Sequence, residues 1–119
     1  MIALMLKPSR PISWIKAAQK DFAGFPQGVQ LELARALAIL ARGEMPDIAK
    51  PLSGFGAGVM EFALRHRGDA FRLVYALQID TDIWVLHAFQ KKSKSGISTP
   101  KYETDLIAER LKRLRERLR

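Results

Sequence analysis

Three apolar runs, at residues 59–65, 70–80 and 83–90, are separated by links of only four and two residues, His66-Arg67-Gly68-Asp69 and Thr81-Asp82. Parallel neighbours need a crossover of a dozen or more residues, so links this short force the three runs into an antiparallel meander. The middle run alternates, with Phe71, Leu73, Tyr75, Leu77 and Ile79 on one face. The third, IWVLHAF, is apolar on both faces. It reads as a central strand covered on both sides, or as one that lines a pocket.

The flanking segments complete the layout. Residues 11–15 alternate briefly and predict a short first strand at the edge of the meander. Residues 16–25 are weakly helical, and Pro26 suits the first turn of a second helix because its missing N–H costs nothing there. In that helix Val29, Leu33, Leu37 and Leu40 recur at helical spacing, and Gly43 is a stop. Residues 44–58 carry Pro46, Pro51, Gly54, Gly56 and Gly58 and predict a loop. Thr99-Pro100 predicts an N-cap with proline at the first position of a closing helix that runs to about Leu118, with Ile107, Leu111, Leu114 and Leu118 on one stripe. The class is α+β: a small antiparallel sheet of an edge strand plus a three-strand meander, with two N-terminal helices and one C-terminal helix on one face. At 119 residues the chain is one domain, with residues 1–9 read as a flexible leader and residues 10–119 as the folded unit.

Charge narrows the partners. Lys and Arg number 20 against 12 Asp and Glu, a formal net charge of +8, and such an excess favours a polyanion, nucleic acid first. Ten of the basic residues, against four acids, follow Gln90. With no cysteine there is no disulfide, thiol nucleophile or thiolate metal site, and a reducing cytoplasm suits the composition. No apolar run reaches the roughly 18 residues that span a bilayer, so no membrane partner is expected. The chain lacks a phosphate loop ending in Lys-Ser/Thr, a dinucleotide fingerprint, a His-Glu-x-x-His pair and an acidic cluster spaced for Mg²⁺. KPLSGFGAG holds glycines, but no strand leads into it and no helix leaves it. No cofactor is expected.

The remaining inventory suits metal-independent RNA cleavage. Attack of a 2′-hydroxyl on the adjacent phosphate needs a base, an acid for the leaving 5′-oxygen and cations around the phosphorane. Arg65, Arg67, Arg72, Lys91, Lys92 and Lys94 fall on or just beyond the meander strands, where antiparallel pairing gathers them. His87 has a plainer reading as a hydrogen-bonded core residue, and His66 as solvated turn. Arg72 interrupts an apolar strand, so its guanidinium requires either an internal carboxylate such as Glu61 or an anionic ligand. The lysine run has a plainer reading as a solvated loop. The closing helix's Arg-rich face offers phosphate contacts to RNA backbone.

The stretches KPLSG, GVMEF, FRLVYAL and WVLHAFQKKSKSGISTPKYETDLIAERL, with PISWIKAAQKDFAGFP before them, resemble the phage-derived branch of the RelE/HigB-type toxins of type II toxin–antitoxin modules. HAFQKKSK with TPK close behind carries the likeness furthest. The resemblance implies a compact RelE/ParE-like α+β toxin with a concave basic face and an endoribonuclease activity on mRNA at the ribosome. It also implies neutralisation by a helix-turn-helix antitoxin of the HigA type. It places Arg72 at the scissile phosphate and Lys91 and Lys92 beside it, with Arg65 and Arg67 as further RNA contacts; Lys94 and Lys101 are added to these on their charge alone. The chain lacks the Tyr of RelE-type members after the basic cluster, the nearest being Tyr102, and ends in LRERLR where other HigB-type members carry an acid, an aromatic and a His. His87 and Lys92 stand in as acid and base. Two other readings follow from the same superfamily: a ParE-like poison of DNA gyrase, and a detoxified phage-derived protein that still binds its antitoxin.

Overall fold

The computed structural model describes residues 9–91 and 99–118. In chain order these form β1 (Ile12–Trp14), α1 (Lys16–Ala23), α2 (Gln27–Ala41), β2 (Ala49–Pro51), β3 (Val59–His66), β4 (Asp69–Ala76), β5 (Ile83–Lys91) and α3 (Lys101–Arg117). The class is α+β, and the sheet is an open one of five strands in the order β1-β5-β4-β3-β2. The meander forms as its short links require, β3 pairing antiparallel with β4 and β4 with β5. His66 pairs with Asp69, which leaves Arg67-Gly68 as a two-residue turn. Both have positive φ, 52° and 86°, the geometry whose twist matches a right-handed hairpin.

The sheet departs from expectation in two places. The predicted loop 44–58 contains an edge strand, β2, antiparallel to β3. Three residues are too few to show a period, and Pro51 is tolerated because the strand lies at an edge. β1 does join the meander, but in parallel with β5, so the sheet is mixed. The direction is available to it because two helices and three strands intervene between the pair.

The helices do not share one face. Ala18 of α1 and Val29, Leu33, Ala36, Leu37, Leu40 and Ala41 of α2 pack with Phe62, Phe71, Leu73, Tyr75, Ile83 and Val85. Ile107, Leu111 and Leu114 of α3 pack on the opposite face, against Val59, Val74, Ala76, Leu86 and Phe89. The two-sided apolar character of β5 is the reason: a strand apolar on both faces needs a cover on each. α3 takes Pro100 as its N-cap residue, the Pro100 carbonyl accepting from Glu103 and Thr104, so the cap falls one residue after the predicted Thr99. The apolar stripe ends at Leu114, and Leu118 is exposed beyond it. Among the described residues no helix is long and apolar enough to cross a membrane.

One irregularity decides which side chains share a face. Tyr75 pairs with Val85 and Val74 with His87, so Leu86 is an extra residue, a β-bulge in β5. Side chains alternate along a strand, and an unbulged β5 would send His87, Phe89 and Lys91 to the side of Val85, under α1 and α2. The bulge turns all three toward α3. Arg10 closes the far end of the sheet, its guanidinium donating to the carbonyls of Leu77 (2.6 Å), Thr81 (2.9 Å) and Asp82 (3.2 Å).

Candidate functional site

On the α3 side of the sheet, beyond the apolar footprint of the helix, the strand register sets out three rows. Lys50, Glu61, Val74 and His87 lie across one row; Ala63, Arg72 and Phe89 across the next; Arg65, Ala70 and Lys91 across the third. Directly opposite residues in such rows stand about 5 Å apart, so Lys50 faces Glu61, Arg72 lies diagonal to that carboxylate, and Arg65 and Lys91 flank Ala70 two rows along the same face. Ala63 and Ala70 lie between them in the register.

Arg72 Nη1 donates to Glu61 Oε1 at 2.9 Å, and the side chains of Arg72 and Glu61 are 14% and 6% exposed. Of the two partners anticipated for Arg72, the internal carboxylate is present. It engages one edge of the guanidinium: Arg72 Nε is buried and has no hydrogen-bond partner among the described residues. A guanidinium held through one nitrogen keeps further donors for an oxyanion, although Nε itself is closed off from solvent. Lys91 is buried. That burial first, and the Arg72 guanidinium second, hold its ammonium below the ordinary lysine range, with Lys50 and Arg65 adding to the effect and Glu61 opposing it. The four cations therefore share one electrostatic environment. Lys50 and Arg65 are exposed at its rim.

His87 is placed differently. Its Nε2 lies 2.7 Å from Glu103 Oε1, and Arg110 Nη1 donates to its Nδ1 at 2.8 Å and to the Leu86 carbonyl at 3.1 Å. Since a guanidinium only donates, Nδ1 is the acceptor and Nε2 carries the proton that Glu103 receives. Burial first pushes the imidazole below the ordinary histidine range, Glu103 pulling it back and Arg110 adding to the depression. The ring stacks on Phe89, with centroids 5.0 Å apart. Both ring nitrogens are engaged within the fold, which makes His87 a clamp between β5 and α3.

The other sequence candidates fall around this arrangement. Arg67 is at the exposed tip of the β3–β4 hairpin. Lys101, in the first turn of α3, pairs with Asp105 at 2.8 Å. Lys92 and Lys94 lie outside the described residues. His66 is on the opposite face, where a side chain added to Gly28 of α2 would come within 3.1 Å of its Cε1. The residues that sequence reasoning missed are Lys50, Glu103 and Arg110. Lys50 was hidden by the unpredicted β2, and the other two by the bulge that turns His87 toward α3.

The sequence of residues 20–112 matches the family described as phage derived protein Gp49-like (DUF891). The chain belongs to this family. The match spans the whole of α2, the meander and most of α3, and with them every row of the cationic site. Gp49-like proteins are associated with RelE-like toxins of toxin–antitoxin systems, and such toxins act with an antitoxin partner. No curated protein and no solved structure matches the sequence.

Proposed function

We propose that this Gp49-like protein is the toxin of a type II toxin–antitoxin module and acts in the cytoplasm as a metal-independent endoribonuclease on mRNA at the ribosome. The observation that carries the reading is the Arg72 guanidinium, held by Glu61 through Nη1 with no other partner among the described residues, and sharing its face of the sheet with Lys50, Arg65 and Lys91. In this reading the remaining guanidinium donors of Arg72 and the Lys91 ammonium take the non-bridging oxygens of the scissile phosphate and stabilise the charge that builds on the phosphorane. Lys92 continues the cationic run, and Arg65, Arg67, Lys94 and Lys101 contact flanking phosphates.

The 2′-hydroxyl transfers its proton to a base as its oxygen attacks phosphorus, and the departing 5′-oxygen receives a proton from an acid. Glu61 is the carboxylate paired with Arg72 and suits the first task. Lys91, its ammonium already made more acidic, suits the second, with Lys92 beside it. His87, committed to Glu103 and Arg110, acts as a positioning residue that fixes β5 beneath α3. The products are a 2′,3′-cyclic phosphate and a 5′-hydroxyl.

Primer extension on cellular mRNA after expression in the absence of any helix-turn-helix antitoxin of the HigA type tests the proposal. New 5′ ends that vanish in Arg72→Ala support it. Growth arrest with intact transcripts overturns it.

A further inference from the structure

The cationic site around Arg72 does not account for the charge of α3. From Arg110 to Arg117 the helix carries five cations and one acid, Glu116. Three of the five are occupied: Arg110 by His87, Arg113 by Glu109 at 2.8 Å, and Arg117 over the Trp84 ring at 6.0 Å. Lys112 and Arg115 pair with no carboxylate among the described residues. Both line a cleft of about 410 Å³, with Gly54 and Phe55 on the other wall and Ala108 and Leu111 between.

The far wall belongs to the glycine-bearing segment KPLSGFGAG. Gly56, at φ +90°, lies beside Arg115, whose Nη2 is 3.5 Å from where a β-carbon would stand. Phe55 packs at the border of the α3 core and still faces the cleft. The segment also connects the two sites. Lys50 of the cationic site is four residues before Gly54, at most about 14 Å along an extended chain, a span that a few nucleotides cover.

We propose that this cleft is a second nucleotide subsite, which holds a residue of the same RNA strand that occupies the Arg72 site. Lys112 and Arg115 take its phosphate, Phe55 and the apolar strip of Ala108 and Leu111 take the face of its base, and Glu116 accepts from its ribose hydroxyl. An aromatic ring beside paired cations is the arrangement that binds single-stranded nucleic acid with little regard to base identity. The inference rests on RNA being the substrate of the neighbouring site.

Amide chemical shifts of the full-length ¹⁵N-labelled chain, titrated with adenosine and uridine 5′-monophosphate, provide the test. Gly54, Phe55, Gly56, Lys112 and Arg115 should move with both mononucleotides, and inorganic phosphate should need at least tenfold higher concentration. Lys112→Ala with Arg115→Ala should weaken the nucleotide response tenfold or more while dispersion elsewhere is unchanged. Silence of these amides overturns the subsite, as does an equal response to inorganic phosphate or to a glutamate-rich peptide. Arg72-dependent mRNA cleavage with a silent cleft removes the subsite and leaves the proposed function standing. A responsive cleft in a chain that leaves mRNA intact removes the proposed function and leaves a nucleotide site.

Discussion

Arg72 and Glu61 are diagonal neighbours across β3 and β4, and their 2.9 Å ion pair joins two side chains that are almost wholly withdrawn from water. Removing one member of such a pair strands the other charge, whereas exchanging a charge for one of the same sign does not. Glu61→Ala should therefore lower the unfolding free energy by about 3–5 kcal/mol in urea titration. Arg72→Lys should stay folded and lose mRNA cleavage by at least tenfold, since an ammonium cannot offer two parallel donors to a phosphate. Wild-type cleavage by Arg72→Lys would assign Arg72 a purely structural role.

The clamp at His87 gives the protein an acid-sensitive joint. Because burial holds the imidazole below its ordinary pKa, the unfolded chain binds a proton at pH values where the folded chain does not. The neutral ring's contribution is thus complete above the unfolded value of about 6.5 and is lost as pH falls toward the depressed folded value. Thermal midpoints measured from pH 7.5 down to 5.5 should fall for the wild type and fall less for His87→Gln. Parallel curves for the two proteins would place the sensitivity elsewhere.

Lys91 on β5 and Lys50 on β2 flank the Arg72–Glu61 pair on one face of the sheet. Neutralising either one, as Lys91→Met or Lys50→Met, should reduce the salt dependence of RNA binding by about 0.7 in the log–log slope, the value expected for one lost phosphate contact on a single strand. Fluorescence anisotropy of a labelled oligonucleotide between low and moderate salt measures it. An unchanged slope would exclude phosphate contact by that lysine.

Two glycines separate backbone strain from crowding. Gly43 and Gly58 both have positive φ, 90° and 80°, but a β-carbon at Gly43 meets nothing within 4 Å, while one at Gly58 would lie 2.8 Å from Gln78 Cγ. Gly43→Ala should cost about 1 kcal/mol through the left-handed conformation alone. Gly58→Ala should cost more, because the β4–β5 turn must also move. Equal unfolding midpoints would show that the turn yields freely.

The removal of buried methyl groups tests whether α3 is integral to the sheet. Ile107 is fully buried against β5 and its neighbours, and Ile107→Ala should cost about 2–5 kcal/mol in the same titration.

The meander was legible because short links leave an antiparallel chain no alternative, and α2 because four large aliphatic residues recur at helical spacing. The cover on both faces of β5 was legible too, in a strand with no polar side, although assigning all three helices to one face did not follow it through. β2 was not readable: three residues with a proline carry no period, and only pairing with β3 makes them a strand. At the site, Arg72 and its candidate partner Glu61 stood out because a cation in an apolar strand demands an explanation. Glu103 and Arg110 did not, since surface-like residues on an amphipathic helix look alike until the strand beneath presents a histidine to them.

Leu86 has a consequence for comparison between relatives. One inserted residue reverses the inside–outside parity of everything downstream in β5, so the lysine that ends this strand shares a layer with Arg72 only through that insertion. Two chains with the same histidine and lysine letters, one with the extra residue and one without, would present those side chains to opposite layers of the protein. For this strand, the count of residues before the motif carries as much meaning as the motif.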